Sequence, residues 1–257
     1  MKIATWNVNS LKVRLPQVLD WLATQSPDVL CLQELKIEDA AFPVEAIQQA
    51  GYQAAFAGQK TYNGVAILSR QTMHDVQIGI PGFEDPQKRL ICASIQGIRI
   101  VSAYFPNGQA LDSDKYLYKL DWLKALTAWL KQMLPIHPQL VLAGDFNIAP
   151  CPEDVHSSWK DPLLTSPPER AAFQALLDLG LEDSFHRFEK PENRYTWWDY
   201  RMGAFRRNAG LRIDHILNSQ TLHDQVLDFN IDRAPRALER PSDHTPVILT
   251  LGNLATA

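Results

Sequence analysis

Several short apolar runs in this chain each meet a polar cluster at one end, and this pattern constrains the fold more than any other feature. Val29-Leu30-Cys31-Leu32 runs into Gln33-Glu34, and Leu140-Val141-Leu142-Ala143 runs into Gly144-Asp145-Phe146-Asn147. Lys2 to Val8 carries Trp6-Asn7-Val8-Asn9 at its far end. Ile213 to Leu217 opens beside Arg212-Ile213-Asp214-His215, and Thr245 to Leu251 follows Pro241-Ser242-Asp243-His244. Short apolar runs bounded by turn residues read as buried strands. A sheet can bring the ends of strands distant in sequence to one rim. The acids, amides and imidazoles would then form a single polar site suited to divalent-metal and phosphate chemistry, which points to a metal-dependent phosphodiesterase.

The rest of the chain places these runs in an α/β frame. Val13 to Leu22 has helical spacing, with Ser10 as its expected cap. Glu45 to Gln49 reads as a short helix stopped at Gly51, and Gly64 to Ser69 as a further strand. Leu90 to Ile95 and Ile98 to Tyr104 flank Gln96-Gly97 as a hairpin. Lys115 to Met133 is the longest helical pattern, with Leu120, Leu123, Leu126 and Leu130 on one face, and Glu169 to Leu179 is another helix. Cys151 to Pro168, rich in Pro, Ser and Asp, reads as a long loop, and such loops are usually functional or disordered. The expected architecture is two sheets packed face to face with helices outside. No repeat or linker divides the 257 residues, and the polar runs need both halves, so residues 1–257 read as one domain.

An apolar content of 46% suffices for a core of this size. No apolar run is long enough for a membrane helix, and Met1 to Asn7 turns polar too soon for a signal peptide, so the expected compartment is the cytoplasm. Cys31, Cys92 and Cys151 are odd in number and show no metal or redox spacing. Cys31 and Cys92 sit in apolar runs as buried small hydrophobes, while Cys151 has no basic neighbour to make it a nucleophile. A net charge of −4 argues weakly against broad nucleic-acid binding. Yet Arg194 to Arg212 holds five arginines against one acid, Asp199, interleaved with Tyr195, Trp197, Trp198, Tyr200 and Phe205. Basic plus aromatic suits a polyanion that carries bases, and the competing reading is a solvated loop over core aromatics.

Each polar group has a bland reading beside its functional one. Glu34 is a candidate Mg²⁺ ligand at a strand end, or a loop acid paired with Lys36. Asp145 and Asn147, two residues apart, can take a proton from water and orient it, or form an Asx turn. His244 can donate to a phosphate oxygen with a carboxylate holding its ring, or be structural. His215, inside an apolar run, reads as a core histidine, whereas Asp214 in the same run must be paired.

Trp6-Asn7-Val8-Asn9, Leu32-Gln33-Glu34, Tyr104-Phe105-Pro106-Asn107-Gly108, Gly144-Asp145-Phe146-Asn147, Trp197-Trp198-Asp199-Tyr200-Arg201, Leu211-Arg212-Ile213-Asp214 and Ser242-Asp243-His244 stand in order along the chain. Together, over nearly its whole length, they resemble the exonuclease III branch of the endonuclease/exonuclease/phosphatase superfamily. The resemblance implies a DNase I-like four-layered α/β sandwich, two packed mixed sheets flanked by helices. It also implies Mg²⁺- or Mn²⁺-dependent hydrolysis of duplex DNA at abasic sites, nicks and blocked 3′ ends, with 3′→5′ exonuclease action. Carried over by position, Glu34 binds the metal with Asn7 and Asn9 nearby and Asp243 as a second contact. Asp145 activates the attacking water, Asn147 orients it, and His244, held by Asp214, contacts the phosphate. Tyr104 and Asn107 line the phosphate pocket and Trp197 packs on the sugar. Lys36, Arg201 and Arg212 are expected to touch DNA.

Two departures stand out. Leu35 replaces the threonine common in the family, which removes a hydroxyl beside the ligand. Leu163 and Leu164 stand where relatives that incise abasic sites tend to carry a small residue, and bulk there would narrow the pocket for a flipped sugar. That leaves three alternatives to a general repair nuclease: a 3′-end specialist, a catalytically dead binding relative, and a lipid or inositol phosphate hydrolase. Intact Glu34, Asp145, Asn147, Asp214 and His244 oppose the second, and the Arg- and Trp-rich segment opposes the third. With no exposed apolar stripe evident, a monomer is expected.

Overall fold

A computed structural model describes residues 1–188, 192 and 194–252. In chain order the elements are β1 (Lys2–Asn7), α1 (Leu11–Gln25), β2 (Val29–Gln33), α2 (Val44–Gln49), β3 (Gln53–Ala57), β4 (Val65–Ser69), β5 (His74–Ile78), β6 (Leu90–Ile95) and β7 (Ile98–Tyr104). Then come α3 (Asp114–Met133), β8 (Leu140–Asp145), α4 (Pro167–Leu177), β9 (Leu181–Asp183), β10 (Asp214–Ser219), β11 (Val226–Ile231) and β12 (Val247–Leu251).

The strands form two six-stranded sheets, ordered β11-β12-β1-β2-β4-β3 and β5-β6-β7-β8-β10-β9. Each has one parallel pair, β1 with β2 and β7 with β8. Parallel neighbours need a crossover, which α1 and α3 supply. Period-two alternation explains the layers. On β1, Ile3 points to the opposing sheet, while Ala4 and Trp6 point outward to Val18, Trp21 and Leu22 of α1. On the second sheet, Ile100, Val141 and Ile216 face inward. Val101, Leu142 and Leu217 face α3 and α4 through Trp122, Leu126, Leu130, Phe173 and Leu176. Each large side chain so buried contributes roughly 1.5–3 kcal/mol. The sequence expectation of two packed sheets flanked by helices is met.

Local chemistry shifts some boundaries. Ser10 precedes α1 at φ 89° and makes no side-chain cap bond. α4 starts at Pro167, before the expected Glu169, since Ser166 and Glu169 form a capping box and prolines suit the first helical positions. The buried face of α3 runs through Tyr116, Lys119, Trp122, Leu123, Leu126, Trp129 and Leu130, leaving Leu120 only partly covered.

Strand register places the polar runs at one rim. Asn7 pairs with Gln33, Tyr104 with Asp145, and Asp145 with Asp214. β8 lies against β7 so closely that a Cβ on Gly144 would sit 1.8 Å from the Ala103 carbonyl oxygen, so only glycine fits before Asp145.

Candidate active site

The rim is built from backbone that side chains rarely adopt. Asn9, Glu34, Lys36 and Asn147 have φ of 43°, 52°, 54° and 48°. Asparagine tolerates this region; Glu and Lys persist there because surrounding bonds hold them, at roughly 1–3 kcal/mol each. Such strain concentrates at sites that need a fixed geometry.

Four groups converge. Asn7 Nδ2 donates to Glu34 Oε1 (2.8 Å) and to Asp145 Oδ2 (2.9 Å). His244 Nδ1 lies 2.8 Å from Asp214 Oδ2, and its Nε2 lies 3.7 Å from Asp145 Oδ2. Ligand atoms of Glu34, Asp145 and His244 fall within 4.8 Å of one another. The Asn147 N–H donates to Asp145 Oδ1 (2.9 Å), its Nδ2 donates to the Phe105 carbonyl (3.0 Å), and its Oδ1 accepts from Asn107 Nδ2 (3.1 Å).

Burial and charge tune these groups. Burial pushes the Asp145 carboxyl up, and Asp214 and Glu34 add repulsion; against His244 and Asn7, the net is a pKa of about 7. Burial opposes charge on His244, but Asp214 and Asp145 outweigh it and raise the pKa to about 10. An imidazolium that can donate therefore faces a carboxylate poised near neutrality. Burial, with Glu34 and Asp145 beside it, holds the Tyr104 hydroxyl protonated as a donor, although Arg89 sits 4.9 Å from its ring centre. The oxygens of Glu34 and Asp145 are hard donors that fit a divalent cation such as Mg²⁺, and the partly exposed Glu34 leaves room for the waters this ion keeps.

Asn9 and Asp243 bond each other beside that cation space. Asn9 Nδ2 donates to Asp243 Oδ1 (2.9 Å) and its Oδ1 accepts from Lys36 Nζ (2.5 Å). Asp243 Oδ2 accepts from Trp197 Nε1 (2.9 Å), so the acid orients the indole. Lys36 pairs with Glu34 Oε2 at 2.9 Å, and Arg201 lies at the surface against Asp199. Arg212 is a correction: it is 1% exposed, makes a two-pronged pair with Asp154 and meets Asp183 at 2.7 Å. Its charge is spent inside the fold, and it cannot reach DNA. Trp198 is likewise fully buried. Leu163 and Leu164 belong to an apolar cluster with Tyr116, Ala149, Leu211 and Ile213, on which Trp197 rests. Leu163 also abuts the Gly108 turn.

His215 is a core histidine as expected: burial and Arg212 push its pKa down to about 4, and Nε2 meets the Ile148 carbonyl. Cys31 and Cys92 are buried, and burial with Asp154 raises the Cys151 thiol, against a nucleophilic role. Two features escaped the sequence reading. A groove of about 730 Å³ leads away from Tyr104 and Asn107, lined also by Tyr62, Arg89, Lys115 and Tyr118. Lys119 and Glu169 form a fully buried ion pair beneath the asparagines. Helical spacing could have found Lys119, which lies three residues from both Tyr116 and Trp122.

A carboxylate pair, a charged histidine and amides at the rim of a two-sheet sandwich define a metal-dependent phosphodiester hydrolase. The sequence profile of the Endonuclease/Exonuclease/phosphatase family matches residues 4–244, and the chain belongs to that family. It is 37% identical to exodeoxyribonuclease III of Haemophilus influenzae, over 96% of this chain and 98% of that one. It is 33% identical to the DNA repair nuclease APEX1 of Danio rerio, over 98% of this chain and 82% of that protein. A 3′-5′ exonuclease from Neisseria meningitidis superposes with a TM-score of 0.95 at 49% identity, covering 98% of this chain and all of that one (100%). A Neisseria 3′ phosphatase bound to a product DNA hairpin gives 0.93 at 48%, covering 98% and 100%. An AP endonuclease from Archaeoglobus fulgidus gives 0.93 at 40%, covering 98% and 99%. The chain is a DNA-repair nuclease of the exodeoxyribonuclease III type.

Proposed function

We propose that this enzyme acts on duplex DNA with Mg²⁺, incising 5′ to abasic sites, removing 3′ blocking groups and digesting 3′→5′. One observation carries the mechanism: His244 and Asp145 face each other across 3.7 Å beside Glu34. A phosphodiester resists attack because its anionic oxygens repel nucleophiles. A divalent cation held by Glu34 and Asp145, with Asn7 beside them, would supply positive charge at a phosphate oxygen. Asp145 accepts a proton from the attacking water, which Asn147 orients. As the water's oxygen bonds to phosphorus, the bond from phosphorus to the 3′ oxygen breaks, and that 3′ oxygen takes a proton from solvent and leaves as a 3′ hydroxyl. His244, kept charged by Asp214, donates to the phosphate as its negative charge grows. Tyr104 and Asn107 line the phosphate pocket, with the groove toward Arg89 and Lys115 as a track for the strand. Trp197, fixed by Asp243, packs on the sugar.

A second reading is favoured by Leu163 and Leu164, which fill the space behind Trp197. Their bulk would exclude a flipped abasic sugar and leave a 3′-end specialist. We place the enzyme in the cytoplasm as a monomer. The deciding experiment gives the purified protein two labelled duplexes with Mg²⁺, one with an internal abasic site and one with a blocked 3′ end, and Asp145→Asn as the inactive control. Cleavage of both supports the general nuclease; cleavage of the blocked end alone supports the specialist; cleavage of neither sinks the proposal.

A further inference from the structure

Among the described residues, one buried charge reaches three loops of the site without taking part in any step above. Lys119 on α3 is 0% exposed. Its ammonium donates to the carbonyls of Asn147 (2.7 Å) and Asn107 (3.2 Å) and pairs with Glu169. An ammonium has three protons, and here each has its own acceptor. Those acceptors lie after β7, after β8 and in the first turn of α4. Glu169 carries the link further. Its Oε1 accepts the Leu164 N–H (3.1 Å), and its Oε2 accepts the Ser166 N–H (3.0 Å) and hydroxyl (2.6 Å).

Stability alone does not account for this pair. Taking two charges out of water costs about what their attraction returns, and an apolar pair of similar volume is often as stable or more so. Burial also pulls the Lys119 ammonium below the ordinary lysine range, with Glu169 and Asp145 opposing. What the charge provides is direction. The two asparagines it holds by their carbonyls are bonded to each other at 3.1 Å, and one of them sits in left-handed backbone beside Asp145. A carbonyl fixed in space fixes the peptide plane and the Cα from which each asparagine side chain starts.

We propose that Lys119 is a positioning residue: it sets Asn107 and Asn147 against the phosphate, and through Glu169 it ties them to the Leu164 wall. This rests on the nuclease reading given above.

The test is the double variant Lys119→Met/Glu169→Gln, which removes both charges together and leaves no lone buried ion. Kinetics on the 3′-blocked duplex are read beside the melting temperature. Displacing positioned groups by a fraction of an ångström to one ångström predicts a fall in kcat of about tenfold to a hundredfold, with KM changed by less than about threefold. Tyr116→Phe, which deletes the hydroxyl bonded to Ser166 in the same cluster, should keep kcat within about twofold even if it melts as early. A folded double variant with kcat within about twofold of wild type, or a loss confined to KM, overturns the proposal. If the double variant does not fold, Lys119→Arg decides, since it keeps the charge but places its donors in a planar fork. It should lower kcat by more than about threefold at unchanged KM, and an unchanged kcat overturns the assignment. Wild-type enzyme inactive on DNA would instead count against the nuclease reading.

Discussion

Leu164→Gly separates the two substrate readings, and the structure indicates that the variant will fold. Leu164 is 5% exposed and sits at φ 71°, a backbone state that leucine resists. Deleting a buried leucine side chain costs roughly 2–5 kcal/mol. Releasing a left-handed L-residue returns roughly 1–2 kcal/mol. Glycine's extra freedom in the unfolded chain costs about 0.5–1 kcal/mol. The net loss of about 0.5–5 kcal/mol stays at or below the lower edge of the 5–15 kcal/mol typical of a folded domain. The Leu164 N–H bond to Glu169 and the carbonyl bond from the Ala149 N–H are both backbone contacts and survive the change. What changes is the volume beneath Trp197. If leucine bulk excludes a flipped sugar, kcat/KM on an abasic duplex should rise relative to a 3′-phosphate duplex by about tenfold, equivalent to about 1.4 kcal/mol. Leu164→Ala keeps the strain while removing most of the bulk, so it should move the ratio the same way and melt lower. Parallel assays of both substrates at matched enzyme concentration measure the ratio. An unchanged ratio in folded Leu164→Gly refutes the steric argument.

Three further outcomes are expected. Asp214→Asn leaves His244 without its carboxylate, and kcat should fall by about 10²–10⁴ with little change in DNA affinity, measurable by single-turnover cleavage and fluorescence anisotropy. Arg212→Met leaves buried Asp154 with Arg194, and Asp183 with His186 and His215, and should destabilise by about 3–5 kcal/mol in denaturant melts, with no change in the salt dependence of DNA binding. In EDTA, stability should fall as pH rises above about 6.5; below that, His215, held down at about 4, works the other way and offsets Asp145. His244, raised from 6.5 to about 10, contributes stability that is complete below 6.5 and lost toward 10. Asp145, raised from 3.8 to about 7, acts in the same direction between those values. Thermal melts above pH 6.5 test the sign, and a melting temperature that climbs from pH 6.5 to pH 9 would contradict it.

The strands that carry chemistry were legible because they are buried on both faces, so each is a dense apolar run ending in polar residues. That Glu34, Asp145, Asn147, Asp214 and His244 would meet at one rim could be read for that reason. β5 was not legible: it is an edge strand with mostly exposed residues and lacks an apolar run. Short β9 and half-exposed β11 were missed for similar reasons. Arg212 misled because a basic residue among aromatics looks the same whether it faces solvent or a buried acid. Its partners Asp154 and Asp183 lie 58 and 29 residues away, beyond any local pattern. Asn9 and Asp243 share that rim and bond each other, a pairing that sequence order alone does not show.

The site draws on both sheets. Asn7, Glu34 and His244 border the sheet that contains β1, β2 and β12, whereas Tyr104, Asp145 and Asp214 belong to the sheet of β7, β8 and β10. Neither sheet alone holds a working set. A chain emerging from the ribosome makes Asn7 and Glu34 long before His244. With the roles proposed above, it cannot cut DNA until β12 has docked and the two sheets have met. For a cell, this means that an unfinished or unravelled copy of a nuclease is harmless to the genome it serves.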